Sequence, residues 1–200
     1  MRLSSFSKRA NGQEWMAENL RARTYRNGVA IPLVTDQTQW AANWNNGNNP
    51  LQQPMMCWYN NDSATYACPY GRLYNWYAVT SSNNVCPTGW HVPSDAEWTT
   101  LTTFLGGENV AGGKMKSTGT QYWESPNTAA DNSSGFSGLP GFSRVGDGTF
   151  GSIGGYATWW SSTEYDTYQA WNCDLQYLYG HVDRYNYFKT NGFSVRCLRD

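Results

Sequence analysis

The sequence predicts a fold of short strands and short helices joined by long loops, and three observations carry that prediction. Its 20 Gly and 8 Pro are spread along all 200 residues, long apolar runs are missing, and one segment, Ser94 to Leu105, holds a full set of helix signals. The spread of chain breakers disfavours an all-helical bundle. With no run of about 20 apolar residues, a transmembrane helix is ruled out. The length suits one large domain or two small ones.

Taken in order, Met1 to Ala10 carries charges and serines but no apolar stretch, so it is not a signal peptide. It reads as an N-terminal extension of residues 1–10 ahead of a single domain over residues 11–200. Gln13 to Leu20 looks like an entry strand followed by a turn. Tyr25 to Pro32 reads as a hairpin, with Asn27-Gly28 as a type I′ turn signal. Thr35 or Asp36 can cap a short helix over Gln37 to Ala42, which sets Trp40 and Trp44 on one face. Asn43 to Pro50 is a polar loop. Met56 to Tyr59 reads as a strand ended by Asn60-Asn61-Asp62. The apolar positions of Gly71 to Val79 do not decide between strand and helix.

In the clearest helix, Ser94 is the N-cap and Glu97 completes a capping box. Trp98, Leu101, Phe104 and Leu105 follow as its apolar face, and Gly106-Gly107 ends it. Beyond Gly113 the chain breaks into short segments, with strands expected over Trp159 to Glu164, Ala170 to Leu175 and Gly192 to Arg199. No internal repeat with a period of about 20–50 residues occurs.

Composition narrows the function. Aromatics make up 16%, with 11 Trp, 14 Tyr and also 19 Asn, while charged residues make up only 14% and the formal net charge is -1. Disordered segments lack aromatics and carry net charge, so disorder is excluded. No positive excess exists to neutralise phosphates, so nucleic acid is not an expected partner. Neutral polar coats of this kind are typical of extracellular, cell-surface, virion or ligand-presenting proteins.

There are five cysteines: Cys57, Cys68, Cys86, Cys173 and Cys197. The odd count leaves at least one unpaired in a monomer. Cys57 and Cys68 could close a short loop, and Cys86 and Cys197 could join distant segments. Buried free thiols fit equally well. No CxxC or His-rich cluster supports a zinc site.

Six blocks in order carry a family resemblance. They are Gln13 to Leu20, Tyr70 to Tyr77, Cys86 to Trp98, Gly135 to Gly141, Trp159 to Glu164 and Gly192 to Cys197. Together they resemble the Fibrobacter succinogenes major paralogous domain, from about residue 11 to the C-terminus. That family is similar to the C-type lectin fold, in the branch shared with formylglycine-generating-enzyme-like domains. The resemblance implies an α+β, C-type lectin-like fold with small antiparallel sheets, two helices and long structured loops.

A narrower resemblance is to C-type-lectin-fold variable proteins diversified by retroelements, in which adenine-directed mutagenesis rewrites Asn codons near the C-terminus. Asn172 to Asn191 reads like such a cassette. Trp171, Leu175, Gln176, Val182, Arg184 and Lys189 look fixed, and every residue between them is reachable from an Asn codon by changing its first two bases. Six of the 14 Tyr fall between Tyr165 and Tyr187.

Tyr supplies rigid amphipathic contact area, and Asn and Ser supply adaptable hydrogen bonds, as in antibody loops. The expected ligand-binding residues are Asn172, Asp174, Tyr177, Tyr179, His181, Asp183, Tyr185, Asn186, Tyr187, Phe188 and Asn191, with Trp171 as the platform beneath. The expected partner is a protein or a glycan, met by a phage receptor-binding protein or a cell-surface adhesin. His91, ahead of the helix, reads as a packed structural residue. No Ser-His-Asp or Cys-His order occurs, so no catalytic residue, metal ligand or cofactor is assigned. The sugar-binding triplets of calcium-dependent lectins are missing, which leaves a structural calcium as the one cofactor open. Two rival readings remain. One is a formylglycine-generating-type enzyme, which would need Cys173 and Cys197 as a reactive pair. The other is a structural surface module without its own ligand.

Overall fold

Trp159 and Trp160 set the frame of the molecule. Neighbours on a strand point to opposite faces, and both indoles are fully buried, so their strand has a core on each side. In the computed structural model this is β6 (Tyr156–Glu164), paired antiparallel with β7 (Gln169–Gln176), which pairs in turn with β8 (Val182–Phe188). The structure describes residues 5–10 (main chain), 12–44, 51–141, 143–151 and 153–200. The expected polar loop over Asn43 to Pro50 lies, from Asn45 onward, outside the described residues.

Two smaller antiparallel sheets complete the β content. One runs in the order β1 (Ser5–Ala10), β2 (Gln13–Met16), β9 (Leu198–Arg199), β5 (Trp90–His91). The other pairs β3 (Met56–Cys57) with β4 (Leu73–Tyr74). The chain is thus α+β with small antiparallel sheets, as expected. Ser5–Ala10, within the residues 1–10 read as an extension, runs as an edge strand paired along one side with β2.

Five short helices lie among the described residues, where two were expected. The expected pair are α1 (Gln37–Ala42), capped by the Asp36 carboxylate on Gln39 N, and α4 (Asp95–Phe104), with the Ser94–Glu97 capping box in place. Phe104 does not join the inner face of α4 and is 56% exposed. Six residues beyond Trp98 is about 120° away at 3.6 residues per turn. The undecided stretch Gly71 to Val79 divides into β4 and α3 (Trp76–Val79), the latter capped by Asn75. The expected strand Met56 to Tyr59 stops at Cys57, and α2 (Ser63–Tyr66) follows under an Asp62 cap.

The Asn27-Gly28 turn also differs from expectation. Gly28 N donates to Tyr25 O and Tyr25 N to Val29 O, but only Gly28 has positive φ. A type I′ turn needs positive φ at both central residues. The chain instead turns at Arg26-Asn27 and then places Gly28 in a left-handed bulge.

The helix that the sequence hides is α5 (Glu108–Met115). Gly112 and Gly113 weaken its helix signal, yet both are needed for contact. A Cβ on Gly112 would lie 2.1 Å from His181 O, and one on Gly113 would lie 2.3 Å from Ala129 O. Gly113 N donates to Gly180 O at 2.8 Å. The backbone of the β7–β8 turn therefore rests directly on α5.

Buried cations hold the long loops by donating to main-chain carbonyls. Arg144 donates to Val34 O at 2.6 Å and Gly148 O at 3.1 Å. Arg196 reaches Phe136 O and the Asn19 side chain. Lys189 pairs with Glu164 and donates to Asp166 O and Thr167 O, fixing the β6–β7 turn. A disulfide joins Cys86 to Cys197, while Cys57, Cys68 and Cys173 are free thiols. Cys57 and Cys68 thus close no loop. No helix among the described residues is long and apolar enough to cross a membrane.

Candidate functional site

Strand alternation sorts the eleven expected binding residues. The register pairs Asn172 with Tyr185, Asp174 with Asp183 and Ala170 with Tyr187, so these side chains share one face of the sheet. Asn186 pairs with Trp171 and belongs to the opposite face, away from Tyr185 and Tyr187. There Trp171 packs edge-on against Tyr165 and under the Arg184 guanidinium, 4.7 Å away. Arg184 is anchored in turn on the Asp95 carboxylate at the start of α4. Trp171 is half-buried and supports the hairpin from behind, without forming the floor of the Tyr185 face.

That face borders a cavity of about 840 Å³. Five of the expected residues line it: Asp174, Tyr177, Tyr187, Phe188 and Asn191. Tyr179 and His181 lie on the β7–β8 turn with their rings stacked at 4.9 Å, and His181 pairs with Asp183 at 3.2 Å. Asp183 also accepts from Gln176 Nε2. Tyr179, Tyr185, Tyr187 and Phe188 are exposed.

Three expected contact residues are not surface groups. Asn172, Asp174 and Asn191 are buried, at 1%, 3% and 7% exposure. Asn172 and Asp174 lie on the middle strand, flanked by β6 and β8, and Asn191 follows the end of β8, so residue type alone does not give their exposure. Their burial is also chemically unusual. Both side-chain polar atoms of Asn172 and the Oδ1 of Asp174 lack a hydrogen-bond partner. Asp174 is the one buried carboxylate among the described residues. Burial pushes its carboxyl up to about 7, opposed by a Thr158 hydrogen bond and reinforced by Asp183. Burial also pushes the Tyr187 phenol up to about 12, with the Asp174 charge adding to the effect.

The rest of the lining was not read from the sequence. Tyr156 and Thr158 come from β6, Glu124 from the segment after α5, Trp44 from the end of α1, and Val145 and Gly151 from the loop before β6. One signal was available. In Tyr156-Ala157-Thr158-Trp159, strand alternation with Trp159 in the core turns Tyr156 and Thr158 to the other face.

The opposite side of the hairpin is secured by Lys116. Its buried amine donates to Thr128 O, Gln176 O and Tyr179 O at 2.7–2.9 Å. The β7–β8 hairpin is therefore held from α5 and its C-terminal extension.

Other chemistry is less well served. Cys197 is bonded to Cys86, so it cannot form a reactive pair with Cys173. Burial, with Asp174 and Asp95 adding to it, raises the Cys173 thiol well above its ordinary range, which suppresses the thiolate. His91 bridges Glu97 Oε1 and Asp200 Oδ1 and ties the C-terminus to the capping box. Among the described residues, no three His, Cys, Asp or Glu side chains gather as a metal site.

No curated protein and no solved structure matches the chain. A family model does, and it spans the six sequence blocks, every strand from β2 to β9 and the cavity-lining hairpin alike. Over residues 9–199 the chain matches the Fibrobacter succinogenes major domain and belongs to that family.

Proposed function

We propose that this chain is a ligand-binding domain that acts by recognition and catalyses no reaction, with the β6–β8 face and its cavity as the binding surface. One observation carries the reading. Buried polar atoms are almost always paired, yet Asp174, which lines a tyrosine-walled cavity, leaves its Oδ1 unpaired. An arriving ligand would supply the missing partner. The exposed Tyr179, Tyr185 and Tyr187 suit the rigid aromatic contact of a recognition surface.

The C-type lectin-like architecture and retroelement diversification belong to the same proposal. A hairpin held from behind by Lys116, Gly112 and Arg184 lets outer side chains change without unfolding the domain. Buried Asn172, Asp174 and Asn191 set a limit on that freedom. The disulfide supports an oxidising, extracellular setting, on a cell surface or a virion.

The test is an array of glycans and proteins probed with the wild type and with a Tyr179→Ala/Tyr185→Ala/Tyr187→Ala variant. The expected result is a ligand held by the wild type and lost by the variant. Unchanged binding would remove this face from the proposal. For diversification, a near-copy of the 3′ coding end, mismatched at adenines and beside a reverse transcriptase gene, is expected in the neighbouring DNA.

A further inference from the structure

Resting on the binding reading above, we propose that the cavity takes an organic cation, an alkylammonium group carried by a free amine or a lysine side chain. Asp174 would be its counter-ion, and the tyrosine rings would be its walls.

The charge distribution points to this class. Asp174 and Glu124 line the cavity, and Asp183 stands directly across from Asp174 on the next strand. Among the described residues, no Lys or Arg lines the cavity. Like charges placed opposite each other in a sheet are destabilising. Asp183 has His181 and Gln176 Nε2 as partners, whereas Asp174 has the Thr158 hydroxyl and an unpaired oxygen. The buried cations show the contrast: Lys116, Lys189 and Arg144 each have a set of acceptors within the chain. Asp174 alone among the buried charges lacks an opposite charge or donor beyond the Thr158 hydroxyl.

The walls fit the same ligand. Trp44, Tyr156, Tyr177, Tyr187, Phe188 and Phe193 line the cavity. Aromatic faces attract cations through their quadrupole, most strongly away from water. An anion would meet two carboxylates, and a neutral sugar would leave the carboxylate uncompensated.

The test uses the full chain in isothermal titration calorimetry. The probes are butylammonium, a short lysine-containing peptide, the same peptide with its lysine Nε-acetylated, and methyl glucoside. Binding of butylammonium or of the lysine peptide is expected, with the acetylated peptide weaker by about tenfold or more. Binding of the peptide alone would identify a protein partner, whereas binding of both would identify the amine as sufficient. Affinity is expected to rise at least about tenfold from pH 5 to pH 8, as Asp174 ionises. The other groups around it are Tyr156 and Thr158 on β6, Asp183, Tyr185 and Tyr187 on β8, Glu124 in the cavity lining, and His181 beside Asp183. A His181→Gln variant is expected to keep the pH dependence, and Asp174→Asn, confirmed folded by thermal unfolding, to lose the binding.

Equal affinity for both peptides, no binding of either amine, or full binding by Asp174→Asn would overturn the proposal. The two readings fail separately. An array ligand that is neutral or anionic and is lost by the tyrosine variant leaves the binding surface standing and removes only the cation.

Discussion

Lys116 and Asp174 are both buried charges, and they sit on either side of one hairpin. The amine of Lys116 has three carbonyl acceptors, two of them, Gln176 O and Tyr179 O, in the hairpin it supports. The carboxylate of Asp174 has a Thr158 hydroxyl, an unpaired oxygen and a second carboxylate opposite. A buried charge costs free energy unless it is hydrogen-bonded. Lys116 meets that condition within the fold and Asp174 does not. On the proposed function, the difference separates a residue that supports the face from one that an outside partner would satisfy.

The largest expected effect breaks the satisfied partner. Lys116→Met keeps much of the stem volume but removes a donor from three carbonyls, of which Gln176 O keeps a long bond from Tyr179 N. A loss of about 3–5 kcal/mol is expected, at about 1–3 kcal/mol for each buried acceptor left without its donor. Urea unfolding measures it. A loss below about 1 kcal/mol would show that the carbonyls find other donors and that Lys116 is no anchor. Gly112→Ala attacks the same support without touching charge. Its Cβ would sit 2.1 Å from His181 O, so the turn must move. We expect a loss of about 2–3 kcal/mol, together with shifted amide resonances over Tyr177 to Val182 in NMR spectra.

These two residues also mark where sequence reading succeeds and fails. The Ser94–Glu97 capping box, the Asp36 cap and the six ordered blocks are local signals, and each has its structural counterpart in place. α5 was hidden because Gly112-Gly113 lowers helix propensity, and the reasons for the glycines lie elsewhere in the chain, at His181 O for Gly112 and at Ala129 O for Gly113. The site divides the same way. Tyr-rich composition located the hairpin, and alternation alone removes Asn186 from the cavity face. The burial of Asn172 and Asp174, the wall from Tyr156 and Glu124, and the role of Lys116 depend on contacts between distant segments. Residue type and spacing carry no record of those.

The unsatisfied partner predicts the opposite sign. In the unfolded chain Asp174 is an ordinary carboxyl, and in the fold it is pushed up to about 7. Between about pH 4 and 7 the folded state therefore holds an extra proton. Stability falls as pH rises through that window, and the penalty is complete above it. Asp174→Asn is expected to raise stability at pH 8 by on the order of 1–3 kcal/mol and to flatten the pH slope. His91, raised by its bonds to Asp200 and Glu97 against the effect of burial, acts in the same direction. The difference between wild type and Asp174→Asn isolates the aspartate. Melting curves at pH 5 and 8 supply the measurement, and a destabilised Asp174→Asn at pH 8 would make Asp174 a structural residue.

The smallest expected effect on stability lies on the ring beside it. Tyr185 is 45% exposed and stands across the strand pair from Asn172. Its main ring neighbour is Tyr187, at 6.3 Å and edge-on. Surface substitutions away from caps, cavities and networks change stability by about 0.5 kcal/mol or less. Tyr185→Ala should therefore leave the unfolding midpoint nearly unchanged while weakening whatever the face binds. A hot-spot tyrosine at an interface is worth about 2 kcal/mol or more when truncated, roughly thirtyfold in affinity. If the same substitution unfolds the domain, Tyr185 belongs with Lys116 among the supports. The boundary between scaffold and surface would then have to be drawn one residue further out along β8.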